Sequence, residues 1–156
     1  MTKLYVRQRF FALLDSFDIV DEEGHALYTV KGEWSMLKKL ICYDPSGTEV
    51  FTLKQEFSLL PTFSIYRHGN KFMEVKKELT FLKPRYSIEG PDWQIHGEFW
   101  GLSYQIVDSD DKIVVEVDKE FLRLNDHYEV RIADDENVWP ALAAVLSIDA
   151  ATETNN

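Results

Sequence analysis

The sequence is poor in cysteine, in long apolar runs and in clustered positive charge. Its single cysteine, Cys42, has no second cysteine with which to form an internal disulfide bond. The longest apolar run, from Val138 to Leu146, is far shorter than the ~20 residues that a membrane-spanning helix needs. The first residues carry no apolar core of the signal-peptide type. We therefore expect a cytoplasmic protein.

Positive charge is scarce. The chain has 17 lysines and arginines against 27 aspartates and glutamates, which gives a formal net charge of −10. Its densest basic runs are Lys38–Lys39 and Lys76–Lys77. Phosphate backbones and anionic lipids repel such a chain unless its few cations are concentrated in one place. We predict no nucleic-acid partner, and the net charge does not favour a membrane.

Motifs for catalysis and metal binding are also missing from the sequence. It contains no CxxC, HExxH, GxSxG, GxGxxG or P-loop pattern. Cys42 could act as a nucleophile with His96 or His127, but a buried, inert thiol is the simpler interpretation of a cysteine in an apolar strand. The acidic segments 108–111 and 134–136 lack the ligand spacing and central glycine of an EF-hand, so we interpret them as a turn and a helix start. We predict no enzyme activity, no metal and no cofactor.

The composition favours one domain built from strands. Apolar residues make up 45% of the 156 residues, and aromatic residues make up 13%. A chain of this length suits a single domain with a real core, and broad aromatic rings favour the pleated surface of a sheet. We expect the domain to cover residues 1–150 and a polar, disordered tail to follow at 151–156.

A short pattern recurs along the chain. In each copy, a turn rich in Gly, Asp, Asn, Ser or Pro precedes an alternating run that carries a glutamate, and a second alternating run follows. Such paired runs indicate hairpins, so six copies predict twelve strands. An early copy has Arg9 in place of the glutamate. The recurring glutamates are Glu33, Glu56, Glu78, Glu98 and Glu120.

The alternation assigns two faces to these strands, because successive side chains of a strand point to opposite sides. Around Glu56, it places Phe51, Leu53, Gln55 and Phe57 on one side, which we expect to face the core. Glu56 belongs to the other, solvated face. Repeated glutamates invite a carboxylate-pair mechanism. However, a catalytic carboxylate pair occupies a single site, whereas these glutamates recur along the chain. We therefore interpret them as members of cross-strand ion pairs.

The last segment shows no alternation. Acidic residues and Asn137 precede residues 138–148, as at the N-terminus of a helix, and Pro140 is tolerated in a first turn. The segment is apolar all round, which implies burial on every side. A barrel of twelve strands is too wide for its own side chains to fill. We therefore predict an all-β fold, a twelve-stranded closed antiparallel barrel around a hydrophobic C-terminal helix.

One set of polar residues lies at matching positions on the inward side. Its members are Gln8, Gln55, Lys77 and Lys119, each two residues before an aromatic residue or a leucine. One interpretation is a barrel rim where long side chains reach water. The other is a pocket for an anion or a lipid headgroup, with Lys77 and Lys119 as donors. These four residues are the candidate ligand-binding residues.

Several of these motifs together resemble the LURP-one-related family, which shares the tubby C-terminal fold. They are residues 8–11 (Gln-Arg-Phe-Phe), the Asp-x-x-Gly turns, residues 81–86 (Phe-Leu-Lys-Pro-Arg-Tyr) and the apolar stretch ending at 147–150. The resemblance covers roughly residues 3 to 150 and implies the same barrel threaded by a hydrophobic helix. Plant members look connected with pathogen defence. Tubby proteins bind phosphoinositide headgroups through clustered lysine and arginine, and phospholipid scramblases are thought to share the fold.

The resemblance and the residues together predict a non-enzymatic binding or scaffold protein, whose partner is an unknown protein or a small-molecule or lipid ligand. The alternative is a membrane-associated protein that binds a lipid or phosphoinositide headgroup. A third possibility is a hydrolase whose site is not visible in the linear sequence. Because fold alone does not confer function, the choice between them depends on the site.

Overall fold

The computed structural model describes residues 1–7, 16–33, 35–78, 85–98, 103–119 and 127–153. These residues form twelve strands, one short 3-10 turn at Asp135–Asn137 and one helix, α1, at Val138–Glu153. The strands are β1 Thr2–Arg7, β2 Ser16–Val20, β3 Ala26–Gly32, β4 Lys39–Tyr43, β5 Glu49–Gln55, β6 Thr62–Arg67, β7 Asn70–Glu78, β8 Arg85–Glu89, β9 Gln94–Glu98, β10 Ser103–Val107, β11 Ile113–Asp118 and β12 His127–Ile132.

The twelve described strands belong to one antiparallel sheet that curls around α1. Strands adjacent in the chain pair with each other from β1 to β8 and from β9 to β12, and β1 pairs with β12. The barrel is nearly closed, because β8 and β9 are the two edges of the sheet and no ladder joins them in the described residues. The predicted all-β fold with a central C-terminal helix is confirmed.

The two ends of the barrel differ in their connections. At the first end, which we call the turn end, aspartates close tight turns by accepting backbone N–H groups. Asp21 accepts from Glu23 and His25, at 2.9 and 2.8 Å, and Asp44 and Asp108 do the same in the β4–β5 and β10–β11 turns. The opposite end, the loop end, carries the described β3–β4 and β5–β6 connections.

Helix α1 begins at the turn end and runs toward the loop end. Asp134 caps the turn before it by accepting the N–H of Glu136 at 3.0 Å, and Pro140 lies in the first helical turn. Every residue from Ala141 to Leu146 is fully buried, so the helix and the inward residues of the strands form one core. In the described part of the chain, no helix combines the length and the apolar character required to cross a bilayer.

The helix ends later than the sequence suggested. Ala151, expected in the polar tail, is fully buried inside the barrel. The Thr152 hydroxyl bonds to the carbonyl of Ile148 at 2.8 Å and lies 2.8 Å from the Tyr86 hydroxyl. These contacts continue the helix to Glu153, and residues 154–156 lie outside the described residues.

The faces of β5 follow the predicted alternation up to Gln55. Phe51 and Leu53 are buried, whereas Lys54 is exposed. The prediction is wrong for Phe57, which is 97% exposed. Strand β5 ends at Gln55, and the N–H of Glu56 then bonds to the carbonyl of Thr62 at 2.8 Å. Alternation stops there because the chain has left the strand.

The described glutamate side chains of the recurring pattern lie on the outer face with partners on the next strand. These pairs are Glu33 with Lys39 at 3.0 Å, Glu56 with the Tyr66 hydroxyl at 3.1 Å, and Glu78 with Arg85 at 3.7 Å. Each contact joins the two sides of a loop-end connection. This arrangement agrees with cross-strand pairing, while the side chains of Glu98 and Glu120 lie outside those described.

Candidate functional site

The described candidate ligand-binding residues, Gln55, Lys77 and Lys119, lie near the loop end of the barrel. Gln8 lies outside the described residues. Gln55 is opposite Phe63 in the ladder, and Lys77 is opposite Tyr86. Directly opposed residues share a face of a sheet, and both partners are buried. Gln55 and Lys77 therefore lie on the side of the sheet that faces the helix.

Lys119 also lies on that side, where it is held by the helix. Its ammonium group is 2.8 Å from a carboxylate oxygen of Asp149 and 5.0 Å from the centre of the Tyr128 ring. The Tyr128 hydroxyl donates to the other carboxylate oxygen. Asp149 is only 5% exposed, so Lys119 could serve an external anion only by leaving a buried carboxylate uncompensated.

Three buried tyrosines surround the last turns of the helix. Tyr86, Tyr104 and Tyr128 are the second residues of β8, β10 and β12, the position that Phe or Leu occupies in β2, β4 and β6. Burial, reinforced by the charge of Asp149, holds the pKa of Tyr104 well above its ordinary value. We call Tyr86, Tyr104, Lys119, Tyr128, Asp149 and Thr152 the helix-end cluster. It joins the helix to one half of the barrel through polar contacts.

Lys77 differs from Lys119 in its surroundings. Partial burial lowers the pKa of its amine, and it makes no ion pair within the described ranges. Its own N–H bonds to the carbonyl of Pro61 at 2.9 Å, which fixes the backbone that carries it. Lys77 therefore remains the better candidate for an anion donor on the inward side, and this role stays a prediction.

Gln55 lines a cleft of 510 Å³ at the loop end. Its side-chain oxygen accepts the N–H of Lys38 at 3.2 Å, and its own N–H donates to the Lys38 carbonyl at 2.8 Å. These bonds tie the β3–β4 connection to the end of β5 and give the cleft a fixed floor. We call this site the loop cleft, lined by Ser35, Met36, Leu37, Lys38, Lys39, Lys54, Gln55 and Phe57.

Three of the lysines concentrate positive charge at the loop cleft. Lys39 and Lys54 are direct partners across the β4–β5 ladder, an arrangement of like charges that destabilises a sheet. The ammonium of Lys39 lies 3.0 Å from the Glu33 carboxylate, and that of Lys54 lies 5.1 Å from the centre of the Tyr66 ring. Lys38 adds a third positive charge. An anion between these side chains would relieve their repulsion.

An apolar rim projects beside these lysines. Met36 and Phe57 are each 97% exposed, and Leu59, two residues further along the β5–β6 connection, is 99% exposed. Contiguous exposed apolar residues mark interaction surfaces. We call Met36, Phe57 and Leu59 the apolar rim. The sequence carried a signal for it, since residues 57–60 (Phe-Ser-Leu-Leu) break the alternation before Pro61.

Cys42 is fully buried in the core. It lies between Val30 and Phe51 in the ladders of β4. Burial raises the pKa of its thiol to about 12, and the thiolate is the nucleophilic form of cysteine. The burial and the raised pKa therefore support the interpretation of Cys42 as an inert thiol.

One acidic turn brings possible metal ligands together. Ligand atoms of Asp21, Glu23 and His25 lie within 4.8 Å of one another. Asp21 already accepts two backbone N–H groups of this turn, so the cluster is explained by the turn that it closes.

The comparisons with known proteins agree with this architecture. A family model described as LURP-one-related matches residues 2–149. The chain belongs to the LURP-one-related family. It is 32% identical over 151 residues to the uncharacterised protein YxjI of Bacillus subtilis (strain 168), covering 96% of this chain and 93% of YxjI. The LURP-one-related fold also matches an X-ray structure of a protein from Arabidopsis thaliana with a TM-score of 0.66 and 18% identity, covering 99% of this chain and 91% of that one.

Proposed function

We propose that this LURP-one-related chain is a non-enzymatic binding module that docks on anionic membranes with its loop cleft. The observation that carries the proposal is the apolar rim, three large side chains exposed almost completely, of which Met36 and Phe57 line the loop cleft together with three lysines. The inert thiol of Cys42 and the paired state of Lys119 support a binding role over a catalytic one. The helix-end cluster serves the fold, so the outer loop cleft is the better candidate for a ligand.

The overall negative charge does not prevent this docking. At physiological salt the Debye length is about 8 Å, so acidic residues on distant parts of the barrel are screened from the membrane. The lysines of the loop cleft would lie at the membrane surface, where each contributes about 1 kcal/mol with anionic lipids. Glu33 reduces this contribution for Lys39, since the two groups are 3.0 Å apart.

Insertion of the apolar rim would supply the remaining free energy. Complete burial of a large apolar side chain contributes about 1.5–3 kcal/mol, and a bilayer interface provides part of this. A few side chains and a few charges give weak, reversible binding, in the range of a single acyl anchor. The phosphate of a headgroup would lie between Lys39 and Lys54, which are direct partners on the outer face of the sheet.

Co-sedimentation with vesicles tests the apolar rim. Vesicles of phosphatidylcholine with an equal part of phosphatidylglycerol should pull down the protein, and phosphatidylcholine vesicles should do so less. The variant Met36→Ser/Phe57→Ser/Leu59→Ser should lose at least about tenfold in affinity, or 1.4 kcal/mol. Its fold should remain intact because these side chains are exposed. The control is Ile113→Ser at the turn end, where Ile113 is 39% exposed.

Unchanged sedimentation of the triple variant would contradict the docking surface. If neither kind of vesicle binds the protein, the membrane proposal is wrong.

A second pair of variants tests the contribution of the lysines of the loop cleft to membrane binding. The variant Lys38→Gln/Lys54→Gln should weaken binding to anionic vesicles and flatten its salt dependence. The matched control, Lys71→Gln/Lys112→Gln, removes the same charge from the turn end. Equal losses for the two variants would show that only net charge matters and would overturn a specific role for the loop cleft.

A further inference from the structure

Two lysine–tyrosine pairs recur on the outer side of the barrel. The ammonium group of Lys31 lies 5.5 Å from the centre of the Tyr43 ring, and that of Lys54 lies 5.1 Å from the centre of the Tyr66 ring. Both members of the second pair follow those of the first by 23 residues. The same contact is therefore built twice, in successive copies of the recurring pattern.

The ladders place these side chains on one continuous face. Lys31 is opposite Ile41, and Ile41 is opposite Thr52. Lys54 follows Thr52 by two residues, so it shares this face, and Lys39 lies directly opposite Lys54. The face points away from the helix, because the residues between these positions belong to the core. The lysine–tyrosine wall, as we call it, consists of Lys31, Lys39, Ile41, Tyr43, Lys54 and Tyr66.

The lysine side chains lie along this wall. Lys31 and Lys54 are each the last residue but one of their strands, at the loop end. Tyr43 and Tyr66 lie in the last residues of the antiparallel neighbours β4 and β6, toward the turn end. The two side chains of each pair meet between these levels, so the ammonium groups lie against the wall rather than beyond the loop end. An orientation that turns the wall toward a bilayer brings these charges closest to the headgroups.

The opposite side of the barrel carries the opposite charge. Strands β3–β6 contain one carboxylate, Glu49, in the described residues. Strands β10–β12, which lie across the barrel from β4–β6, contain three carboxylates and a single lysine or arginine, Arg131. The three carboxylates are Glu116, Asp118 and Glu129, and the last two are direct partners in the β11–β12 ladder.

The width of the barrel makes this asymmetry effective. Twelve strands spaced about 4.8 Å apart make a barrel about 18 Å across, which is more than twice the Debye length of about 8 Å at physiological salt. When the lysine–tyrosine wall faces an anionic surface, the acidic side is screened from it. Glu33 and Glu56 border the wall at the loop end, where Lys39 and the Tyr66 hydroxyl already contact them.

We propose that the lysine–tyrosine wall is a second membrane-contact surface, so that the barrel lies on its side on an anionic bilayer with the apolar rim inserted at one edge. This orientation rests on the membrane docking proposed above. It gives a binding role to Lys31, Tyr43 and Tyr66, which lie outside the lining of the loop cleft. The tyrosines suit this position, since their amphipathic rings are favoured at the level of the headgroups.

Fluorescence quenching on vesicles tests the orientation. Cys42 is fully buried, so a single added cysteine takes a nitrobenzoxadiazole label. On vesicles of phosphatidylcholine and phosphatidylglycerol in equal parts, a label at Ile41→Cys should lose most of its quenching by aqueous acrylamide. A label at Gln105→Cys, on the outer face of β10 opposite Glu116, should keep its quenching. A label at Ser35→Cys, in the loop cleft, reports the docking itself.

The three labels separate the two proposals. Equal quenching at Ile41→Cys and Gln105→Cys, with the Ser35→Cys label protected, would mean that the barrel docks end-on. That result would overturn the side-on orientation and leave docking by the loop cleft in place. A Ser35→Cys label that stays fully quenched on vesicles would overturn membrane docking, and the orientation with it.

Substitution of one lysine provides an independent test. Lys31→Gln should weaken binding to the same vesicles about fivefold, as expected for one lysine near an anionic surface. The control, Lys112→Gln in the β10–β11 turn, removes the same charge and should leave binding nearly unchanged. Both lysines are exposed, so the fold should stay intact in both variants. Equal effects of the two substitutions would show that the wall makes no contact and would overturn the proposal.

Discussion

Cys42 shows how strongly the core controls the chemistry of a single residue. Its side chain is fully buried between two apolar neighbours in the ladder. Burial disfavours the charged thiolate and raises the thiol pKa from 9.0 to about 12. A group whose pKa differs between the folded and the unfolded chain makes stability depend on pH.

This difference predicts an alkaline loss of stability that depends on Cys42. Below pH 9 both states keep the proton, so the thiol adds no pH dependence. Between pH 9 and about 12, the unfolded chain ionises first, so the free energy of unfolding falls by up to about 1.4 kcal/mol per pH unit. Cys42→Ala lacks this contribution. Urea unfolding from about pH 8 to about pH 11 should show the gap between the parent and the variant narrowing, and a constant gap would contradict the shift.

Glu56 represents the recurring outer-face glutamates. It accepts a hydrogen bond from the Tyr66 hydroxyl at 3.1 Å, and a glutamine oxygen can accept the same bond. We therefore expect Glu56→Gln to change the free energy of unfolding by less than about 1 kcal/mol. Glu33→Gln, which removes one partner of the ion pair with Lys39, is the matched control. A loss above about 3 kcal/mol, typical of a broken buried ion pair, would mean that the face of Glu56 is assigned wrongly.

At the scale of elements, the helix-end cluster fixes α1 inside the barrel. The Asp149 carboxylate receives both Lys119 and Tyr128, which come from the neighbouring strands β11 and β12 at the point where β11 ends. The apolar contacts of the helix alone do not specify how far it is rotated, because its surface is apolar on all sides. Asp149 therefore sets the rotation and depth of the helix.

This role predicts a clear difference between the two inward lysines. Lys119→Met should destabilise the fold by about 2–4 kcal/mol, since it leaves the Asp149 charge buried. Lys77→Met should have a small effect, because Lys77 forms no ion pair among the described residues. A double-mutant cycle with Asp149→Leu should give a coupling energy of at least about 1 kcal/mol for Lys119. Additive losses would show that the contact contributes nothing.

The sequence predicted the faces of strands better than their ends. Two-residue alternation placed Phe51, Leu53 and Gln55 on the correct side, because a strand has no other geometry. It also predicted that Phe57 faces the core, which is wrong because β5 ends at Gln55. Strand ends depend on hydrogen bonds between connections, such as that of Gln55 with Lys38, and a linear pattern does not contain these. The loop cleft was missed for this reason.

At the scale of the whole molecule, the helix and the barrel depend on each other. The helix has apolar residues on every side and would be marginal alone in water. The inner faces of the described strands would enclose an empty space without it. The sequence predicted this pairing because only one segment was long, apolar and free of alternation. It did not predict that the ladder between β8 and β9 is missing in the described residues, because a linear pattern does not contain the hydrogen bonds between strands.

Loss of the helix should therefore abolish the fold. Truncation before Val138 should give insoluble or molten protein, and Val145→Asp should unfold it nearly as well, because it puts an unpaired charge at a fully buried position. The control, Ile113→Asp, lies at a partly exposed position and should melt close to the parent. Circular dichroism and gel filtration provide the measurement. A truncated chain that stays monomeric with a cooperative melt would show that the helix is an appendage.

The position of α1 after all twelve described strands has a consequence for synthesis on the ribosome. At roughly 5–20 residues per second, translation from β1 to the helix takes on the order of ten seconds. Throughout that time the apolar inner faces of finished strands have no helix to enclose, which leaves the nascent chain prone to aggregation. A ribosome that stalls before the codon for Val138 releases a chain that lacks its core, and cellular proteases would remove it.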